Sequence, residues 1–289
     1  MAQDQIPPPN LLRQTFGFIG GGNMARAIGA TLIERGIFQA DHIWVSSRTE
    51  ETLEFWKKLG VHTTLNNSEV ILNCKTIILA VKPQFLDTAL ASLHVLRSRE
   101  DLPNKLFVSV IVGIPIDSLT EKLKQVLPPK NIFRVIRTLP NTPLAVGEGI
   151  TVYCCPPGQD NSQECHLVEA IFSRIGIVEK IDEKMMNAVS ALSGSGPAYA
   201  YLMTEALADG AVKNGVPRAL ATKLAAQMLI GAGKMVLQTG KHPGQLKDEV
   251  CSPGGTTIAG VHALETGGVR VSLMNAIDAA VQRARELLP

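Results

Sequence analysis

The sequence predicts an α/β half followed by an all-α half, and three observations carry that prediction. Short β-branched apolar runs alternate with helical stretches from Thr15 to about Ile181. After Asp182 these runs stop, and the chain becomes rich in Ala, Leu, Met and Lys at helical spacing. The length, 289 residues, suits two domains when a typical domain holds roughly 150 residues.

The strand runs are Phe16–Ile19, Ile43–Val45, Thr76–Val81, Leu106–Val112, Ile132–Ile136, Ile150–Cys154 and Ile177–Ile181. Apolar residues in succession, without alternation, mark strands buried on both faces, and strands that alternate with helices form parallel βαβ units. Residues 15–181 are therefore expected to form a doubly wound sheet, preceded by a flexible N-terminus at 1–14. The helical stretches Glu183–Gly215, Pro217–Gly240 and Thr256–Leu288 make a second domain, 182–289, with the boundary near residue 181. Within it Leu220–Leu237 is apolar on more than one face, so a helical core or another subunit must cover it. A homo-oligomer assembled through this half is expected.

Composition narrows the partners and the compartment. Apolar residues make up 45% and charged residues 19%, which is ordinary globular usage and excludes disordered, collagen-like and coiled-coil chains. The 28 basic and 26 acidic residues leave a net charge of +2, and no Lys/Arg run exceeds two residues, so nucleic acid is not an expected partner. Five cysteines without a CxxC suggest neither a disulfide framework nor a zinc site, and a reducing compartment. The first residues, MAQDQIPPPNLLRQT, carry no signal-peptide or import pattern, so the expected location is cytoplasmic. No uninterrupted apolar run approaches the roughly 18 residues of a membrane span, and no membrane association is expected.

The glycines cluster, which points to work done by the backbone. In Thr15–Ala25 a Gly-x-Gly-x-x-Ala pattern directly follows a strand and directly precedes a helix. Gly20 suits the tight turn, Gly22 the close approach of a pyrophosphate, and Ala25 close packing of helix on sheet; the phosphates would sit on the amides opening the helix near Asn23. This makes the first half an α/β N-terminal Rossmann-like doubly wound sheet, with Ile19, Gly20, Gly21, Gly22, Asn23 and Met24 as candidate dinucleotide contacts. An unliganded glycine-rich turn is the alternative. The second strand ends in Ser46, Ser47 and Arg48, where NAD sites carry an acid. Hydroxyls and a guanidinium suit a 2′-phosphate, so NADPH is expected in preference to NADH, unless Arg48 is simply a solvated residue at a helix start. Ligands of such sheets lie beyond the carboxyl ends of the strands, which adds Ala80, Val81, Lys82 and Pro83, and Val110, Ile111 and Val112. Lys82 has the alternative of an ordinary surface lysine.

Two later glycine clusters concern the second half. Leu192–Tyr199 interrupts a helical pattern with two glycines and Pro197, either to pack against a ligand or to mark a helix boundary with the proline in its first turn. Lys247–Thr257 places Pro253, Gly254 and Gly255 before Thr256 and Thr257 at a helix start. Successive amides with flanking hydroxyls suit a carboxylate, and a plain helix cap is the alternative.

Taken together, GFIGGGNMA, AVKP, RVIRTLPNTP, LSGSGPAYA and HPGQLKDEVCSPGGTTI, in that order, resemble the motifs of the pyrroline-5-carboxylate reductase family over residues from about 15 to 288. The short chain without an import signal resembles the cytoplasmic animal form. The resemblance implies NAD(P)H-dependent reduction of the cyclic imine Δ1-pyrroline-5-carboxylate to L-proline, the last step of proline biosynthesis. It further implies an all-α C-terminal dimerisation domain and an oligomer built on dimers, by resemblance a decamer. By similarity the cofactor residues extend to Asn67, and the substrate residues are Glu183, Ser252, Gly254, Gly255, Thr256 and Thr257. Where related sequences often have Asn after Lys-Asp, this chain has Glu249, whose part in substrate contact is left open.

An imine protonated in solution is already electrophilic and needs a hydride at carbon and a proton at nitrogen, so no metal is expected. His42, His62, His94, His166, His242 and His262 are scattered. Thr257 is the expected catalytic residue, hydrogen-bonded to the ring nitrogen. The competing readings are a β-hydroxyacid dehydrogenase-like oxidoreductase and a non-catalytic NADPH-binding regulator. The first wants a lysine soon after the glycines of LSGSGPAYAYLMTEAL, yet the next lysine is Lys213.

Overall fold

The structure, a computed structural model, describes residues 14–159 and 162–286. Of the expected flexible N-terminus only Gln14 falls among them, and the end of the last predicted helix, 287–288, lies outside. The first part of the chain runs β1 (Phe16–Ile19), α1 (Asn23–Glu34), β2 (Ile43–Ser46), α2 (Glu50–Lys58), β3 (His62–Thr64), α3 (Asn67–Asn73), β4 (Thr76–Leu79) and α4 (Leu86–Ala91). It continues with β5 (Lys105–Ser109), α5 (Ile116–Val126), β6 (Phe133–Pro140), β7 (Gly149–Cys154), α6 (Gln163–Phe172), β8 (Gly176–Lys180) and a short α7 (Met186–Val189). The second part holds α8 (Gly196–Lys213), α9 (Arg218–Thr239), α10 (Pro243–Val250), α11 (Thr256–Thr266) and α12 (Val269–Glu286).

The eight strands form one sheet in the order β3-β2-β1-β4-β5-β6-β7-β8. Alternate residues of each strand enter opposite cores: Ile78 of β4 and Leu106 and Val108 of β5 face α1, α2 and α6, whereas Ile77, Leu79 and Phe107 face α3, α4 and α5. That two-sided burial is what the unbroken apolar runs predicted.

The sheet departs from the sequence expectation in three ways. β3 was not predicted, because His62, Thr63 and Thr64 form a short polar edge strand with no apolar run to read. β7 pairs antiparallel with β6, where parallel units were expected throughout. The link between them, residues 141–148, contains a single 3₁₀ turn and is too short for the crossover of about a dozen residues that a parallel return requires. Finally, β4 and β5 stop at Leu79 and Ser109, short of the predicted Val81 and Val112, which leaves 80–83 and 110–112 as loops.

At the amino end of β5, Lys105 is buried, and its ammonium donates to the carbonyls of Ile71 and of Cys74 (2.7 Å), closing the C-terminal end of α3. Burial holds the Lys105 pKa below the usual lysine range. Burial also pushes the neighbouring Cys74 thiol up to about 12, against the opposing pull of Lys105. Cys154, at the end of β7, is likewise pushed up to about 12, chiefly by burial.

Contacts divide the chain into a sheet unit reaching Gly194 and a helical unit from Ser195 to Arg283. The composition changes near 181, where the last strand ends, but residues 182–194 still pack with the sheet: Met186 is buried in the core shared with α3, α4 and α5. A π-helical turn at Ser190–Gly194 follows, and α8 then opens with Pro197 in its first turn. The glycine-proline cluster is therefore a helix boundary.

In the helical unit α8 and α9 pack through Ala208, Ala221 and Ala225, the buried apolar residues among those described there. Large apolar side chains such as Leu202, Leu224, Met228, Met235, Leu237 and Met274 are exposed. α9 spans 22 residues and is long and apolar enough to cross a membrane by length and composition. Its Gly, Gln and Lys residues break the run in sequence without lowering the average hydropathy of the helix enough.

Candidate functional site

The carboxyl ends of four strands lie level. Register pairs Ile19 with both Ser46 and Leu79, Leu79 with Ser109, and Ser109 with Arg137. The chain turns out of β1 at this edge, between β2 and β4, where the strand order reverses and such sheets bind their ligands.

The Gly20 turn is held from behind on every side. The Gly20 amide donates to the Ser46 carbonyl at 3.0 Å, and the Ala80 amide donates to the Ile19 carbonyl at 2.9 Å. Gly20 has φ +102°, and a Cβ there would lie 2.7 Å from the Ala80 carbonyl oxygen, so no side chain is tolerated. The indole N–H of the fully buried Trp56 donates to the Gly21 carbonyl at 3.0 Å. The same indole leaves no room for a Cβ at Gly29, so α1 lies close on α2 through a glycine, while Ala25, predicted to allow close packing, is fully buried. Gly22 is different: nothing lies within 4 Å of its Cβ position. It caps α1 without a side-chain hydrogen bond, and the first turn carries no acid, so the amides at Asn23 and Met24 open on uncompensated positive potential. This is the geometry that a pyrophosphate fits.

Around that turn the predicted contacts are sorted by what their side chains touch. Ser46 is buried with its hydroxyl donating to the Phe18 carbonyl at 3.3 Å, so it does not present a hydroxyl outward as expected. Ser47 is half-buried, its amide donating to Thr64, and Arg48 is exposed. The Arg48 guanidinium stacks 3.8 Å from the centre of the Phe85 ring. Phe85, just past Pro83, was not singled out from sequence, and only the meeting of the β2 and β4 loops reveals its use. Stacking fixes a planar cation in one orientation and leaves its N–H edge free to donate. Asn67 opens α3 and donates to the Ala89 carbonyl and the Ser92 hydroxyl, both at 3.0 Å, so its amide locks α3 to α4. Ala80 and Val81 are half-buried, Lys82 and Pro83 exposed, Val110 and Ile111 buried, and Val112 exposed.

Glu183 enters at the same edge. One carboxylate oxygen accepts from the Ile116 amide at the start of α5 and from Arg137, both at 2.9 Å, and Arg137 is only 7% exposed. Sequence reasoning placed Glu183 among the substrate residues and did not find Arg137, although RVIRTLPNTP contains it. A cleft of about 650 Å³ borders Glu183, Ile116, Cys154 and Cys155. Another cavity, about 510 Å³, lies at the amino ends of β4 to β6 beside Lys105 and Phe133, on the edge away from the glycine turn.

Within the helical unit, Ser252–Gly255 forms a tight turn. The Gly255 amide donates to the Ser252 carbonyl at 3.1 Å, and Pro253 and Gly254 (φ +66°) take the central positions of a type II turn. A Cβ at Gly255 would lie 2.3 Å from the Ser252 hydroxyl oxygen, so glycine here keeps that hydroxyl beside the helix start. α11 begins at Thr256 with no side-chain cap and no acid in its first turn; Ser252 and Thr256 are exposed and Thr257 half-buried. The five predicted substrate residues of this segment therefore lie at one helix N-terminus that no side chain caps. Glu249 is turned elsewhere: it pairs with Lys241 at 2.8 Å and accepts from Gln245 at 3.0 Å, and the Lys241 hydrogen bond lowers its pKa.

Similarity to known proteins agrees with both halves. Residues 15–113 match the family described as NADP oxidoreductase, coenzyme F420-dependent, and residues 183–287 match pyrroline-5-carboxylate reductase dimerisation. The chain is 43% identical over 272 residues to the pyrroline-5-carboxylate reductase of Arabidopsis thaliana, covering 94% of each. It is 42% identical over 272 residues to pyrroline-5-carboxylate reductase 3 of Macaca fascicularis, covering 94% of this chain and 95% of that one. Among solved structures, the Coxiella burnetii pyrroline-5-carboxylate reductase superposes with a TM-score of 0.80 at 37% identity, covering 96% of this chain and 99% of that one. The Plasmodium falciparum pyrroline carboxylate reductase with NADP bound gives 0.79 at 32% identity, covering 96% and 98%. Two glycine-opened helix N-termini, one at a Rossmann-like switch point and one in the helical region, thus occur in a chain that belongs to the pyrroline-5-carboxylate reductase family.

Proposed function

We propose that this chain reduces Δ1-pyrroline-5-carboxylate to L-proline with NADPH in preference to NADH. The observation that carries the cofactor preference is Arg48, stacked on Phe85 at the carboxyl end of β2, where an NAD-specific site would carry an acid. When bound, the dinucleotide supplies the hydride. The Gly20–Met24 turn would hold its pyrophosphate on the amides of α1, and Arg48 would donate to the 2′-phosphate. The substrate carboxylate is held by the amides and hydroxyls of Ser252, Gly254, Gly255, Thr256 and Thr257, which orients the imine for attack. Thr257 donates a hydrogen bond at the ring nitrogen and relays a proton there; with a hydroxyl pKa far above 7 it is not itself the proton source. The deciding assay mixes purified protein, pyrroline-5-carboxylate and either NADPH or NADH, and follows the reduced nicotinamide absorbance. Oxidation faster with NADPH supports the proposal, and no oxidation of either cofactor removes it.

The working form is a homo-oligomer built on dimers, by family resemblance a decamer, in which a second copy rather than lipid covers the exposed apolar faces of α9 and its neighbours. The match of 183–287 to a dimerisation family supports this cover. Light scattering on the detergent-free protein tests it: a monomer at micromolar concentration is the adverse result. The proposed location is the cytoplasm, supported by five cysteines of which none forms a disulfide, with no nucleic-acid or membrane partner.

A further inference from the structure

We propose that Cys155 and Cys165 form a reversible redox pair, an oxidation site separate from the reductase chemistry. Cys155 directly follows β7, and Cys165 lies in the first turn of α6. Their sulfurs stand 2.8 Å apart, about 0.8 Å longer than a disulfide bond of ~2.05 Å. The two side chains already converge sulfur to sulfur.

The surroundings give the two thiols unequal parts. Cys165 is fully buried and fixed: its sulfur donates toward the Gln159 carbonyl at 3.4 Å, the Ser162 hydroxyl lies 3.4 Å away, and its amide donates to that hydroxyl at 3.3 Å. Cys155 is half-buried and lines the 650 Å³ cleft, where a small oxidant reaches it. A peroxide is the matching oxidant class. The Cys155 thiolate attacks one peroxide oxygen, giving a sulfenic acid and, from hydrogen peroxide, water. The Cys165 sulfur then attacks the sulfenic sulfur and expels a second water. Two thiols lose two electrons in total, and the peroxide gains them. In a reducing compartment thiol exchange returns the pair to the dithiol, so the bond is transient. The spacing, nine residues between the cysteines, has no CxxC signature, and antiparallel β7 followed by α6 is what brings the pair together.

The test treats the full-length reduced protein with one equivalent of hydrogen peroxide, denatures it in N-ethylmaleimide and maps the peptides by mass. The expected result is a linked Cys155–Cys165 peptide pair, with the other cysteines alkylated and all five alkylated after dithiothreitol. In the Cys165→Ser variant, dimedone should label Cys155 at least about fivefold more than in the wild type, because the sulfenic acid has no resolving thiol. Full alkylation of all five cysteines after peroxide, or linkage preferentially through Cys74, Cys154 or Cys251, overturns the proposal. Equal dimedone labelling of Cys155 in wild type and variant overturns the resolving role of Cys165.

Discussion

The turns before α1 and α11 solve the same problem in two settings. Each ends in a glycine that caps a helix without a side-chain hydrogen bond, and neither helix carries an acid in its first turn. The Gly20 turn is walled in by the Ala80 backbone and the Trp56 indole. At Gly254 a Cβ would meet nothing within 4 Å. The first turn is thus organised by the sheet, whereas the hydrogen bond and close contact that shape the second come from its own residues. The amides confer charge preference in both, but the supporting packing decides how much a side chain at the glycine would disturb.

That contrast yields graded expectations. Gly20→Ala combines a strained positive φ with a carbonyl clash, each worth roughly 1–3 kcal/mol, so NADPH should bind on the order of 1000-fold more weakly in fluorescence titration. Near-normal binding would break the distinction between walled and open turns. Thr257→Ala should lower kcat by ~10- to 1000-fold while leaving the NADPH dissociation constant unchanged. Wild-type turnover in steady-state kinetics would remove Thr257 from the mechanism. Arg48→Ala should reduce the ratio of kcat/KM for NADPH over NADH by roughly 10- to 100-fold, the range for losing a charge-assisted hydrogen bond. An unchanged ratio disposes of the 2′-phosphate assignment. Gly254→Ala, with positive φ but open space, costs about 1–2 kcal/mol locally and should raise KM for the imine by roughly 10-fold with NADPH binding intact.

An effect that touches neither turn is on alkaline stability, and it belongs to the sheet unit, where Cys74 and Cys154 are held at about 12 by burial. Both folded pKa values lie above the unfolded value, so the native state keeps protons that the unfolded chain releases. Their contribution is complete below about pH 9 and is lost as pH rises toward 12, by about 1 kcal/mol per thiol at pH 10. Both tryptophans, Trp44 and Trp56, lie in the sheet unit, so urea unfolding followed by tryptophan fluorescence at pH 8 and pH 10 reports this half directly.

What the sequence disclosed tracks how local each feature is. Gly20, Gly21 and Gly22 between a strand and a helix are a local signature, and the structure bears out the tight turn and the open helix start. The direction of β7 is hidden because β6 runs on to Pro140, past the expected end at Ile136, so that the expected link 137–149 looks long enough for a parallel crossover. β3 is polar and peripheral, so periodicity had nothing to register. Trp56, Phe85 and Arg137 act through partners 35, 37 and 46 residues away in sequence: Trp56 on Gly21, Phe85 under Arg48, Arg137 on Glu183. Ser46 was read correctly as lying at the strand end, but whether its hydroxyl points to ligand or to the Phe18 carbonyl is decided by the pleat of the neighbouring strand.

The three buried alanines of the helical unit have a consequence for how the molecule melts. Their burial offers little to set against the chain entropy of a unit running from 195 to 283, so under the proposed assembly most of its apolar gain comes from association. Its transition temperature then depends on subunit concentration, and tenfold dilution should lower it. The sheet unit, with complete cores on both faces, should unfold at a temperature indifferent to dilution.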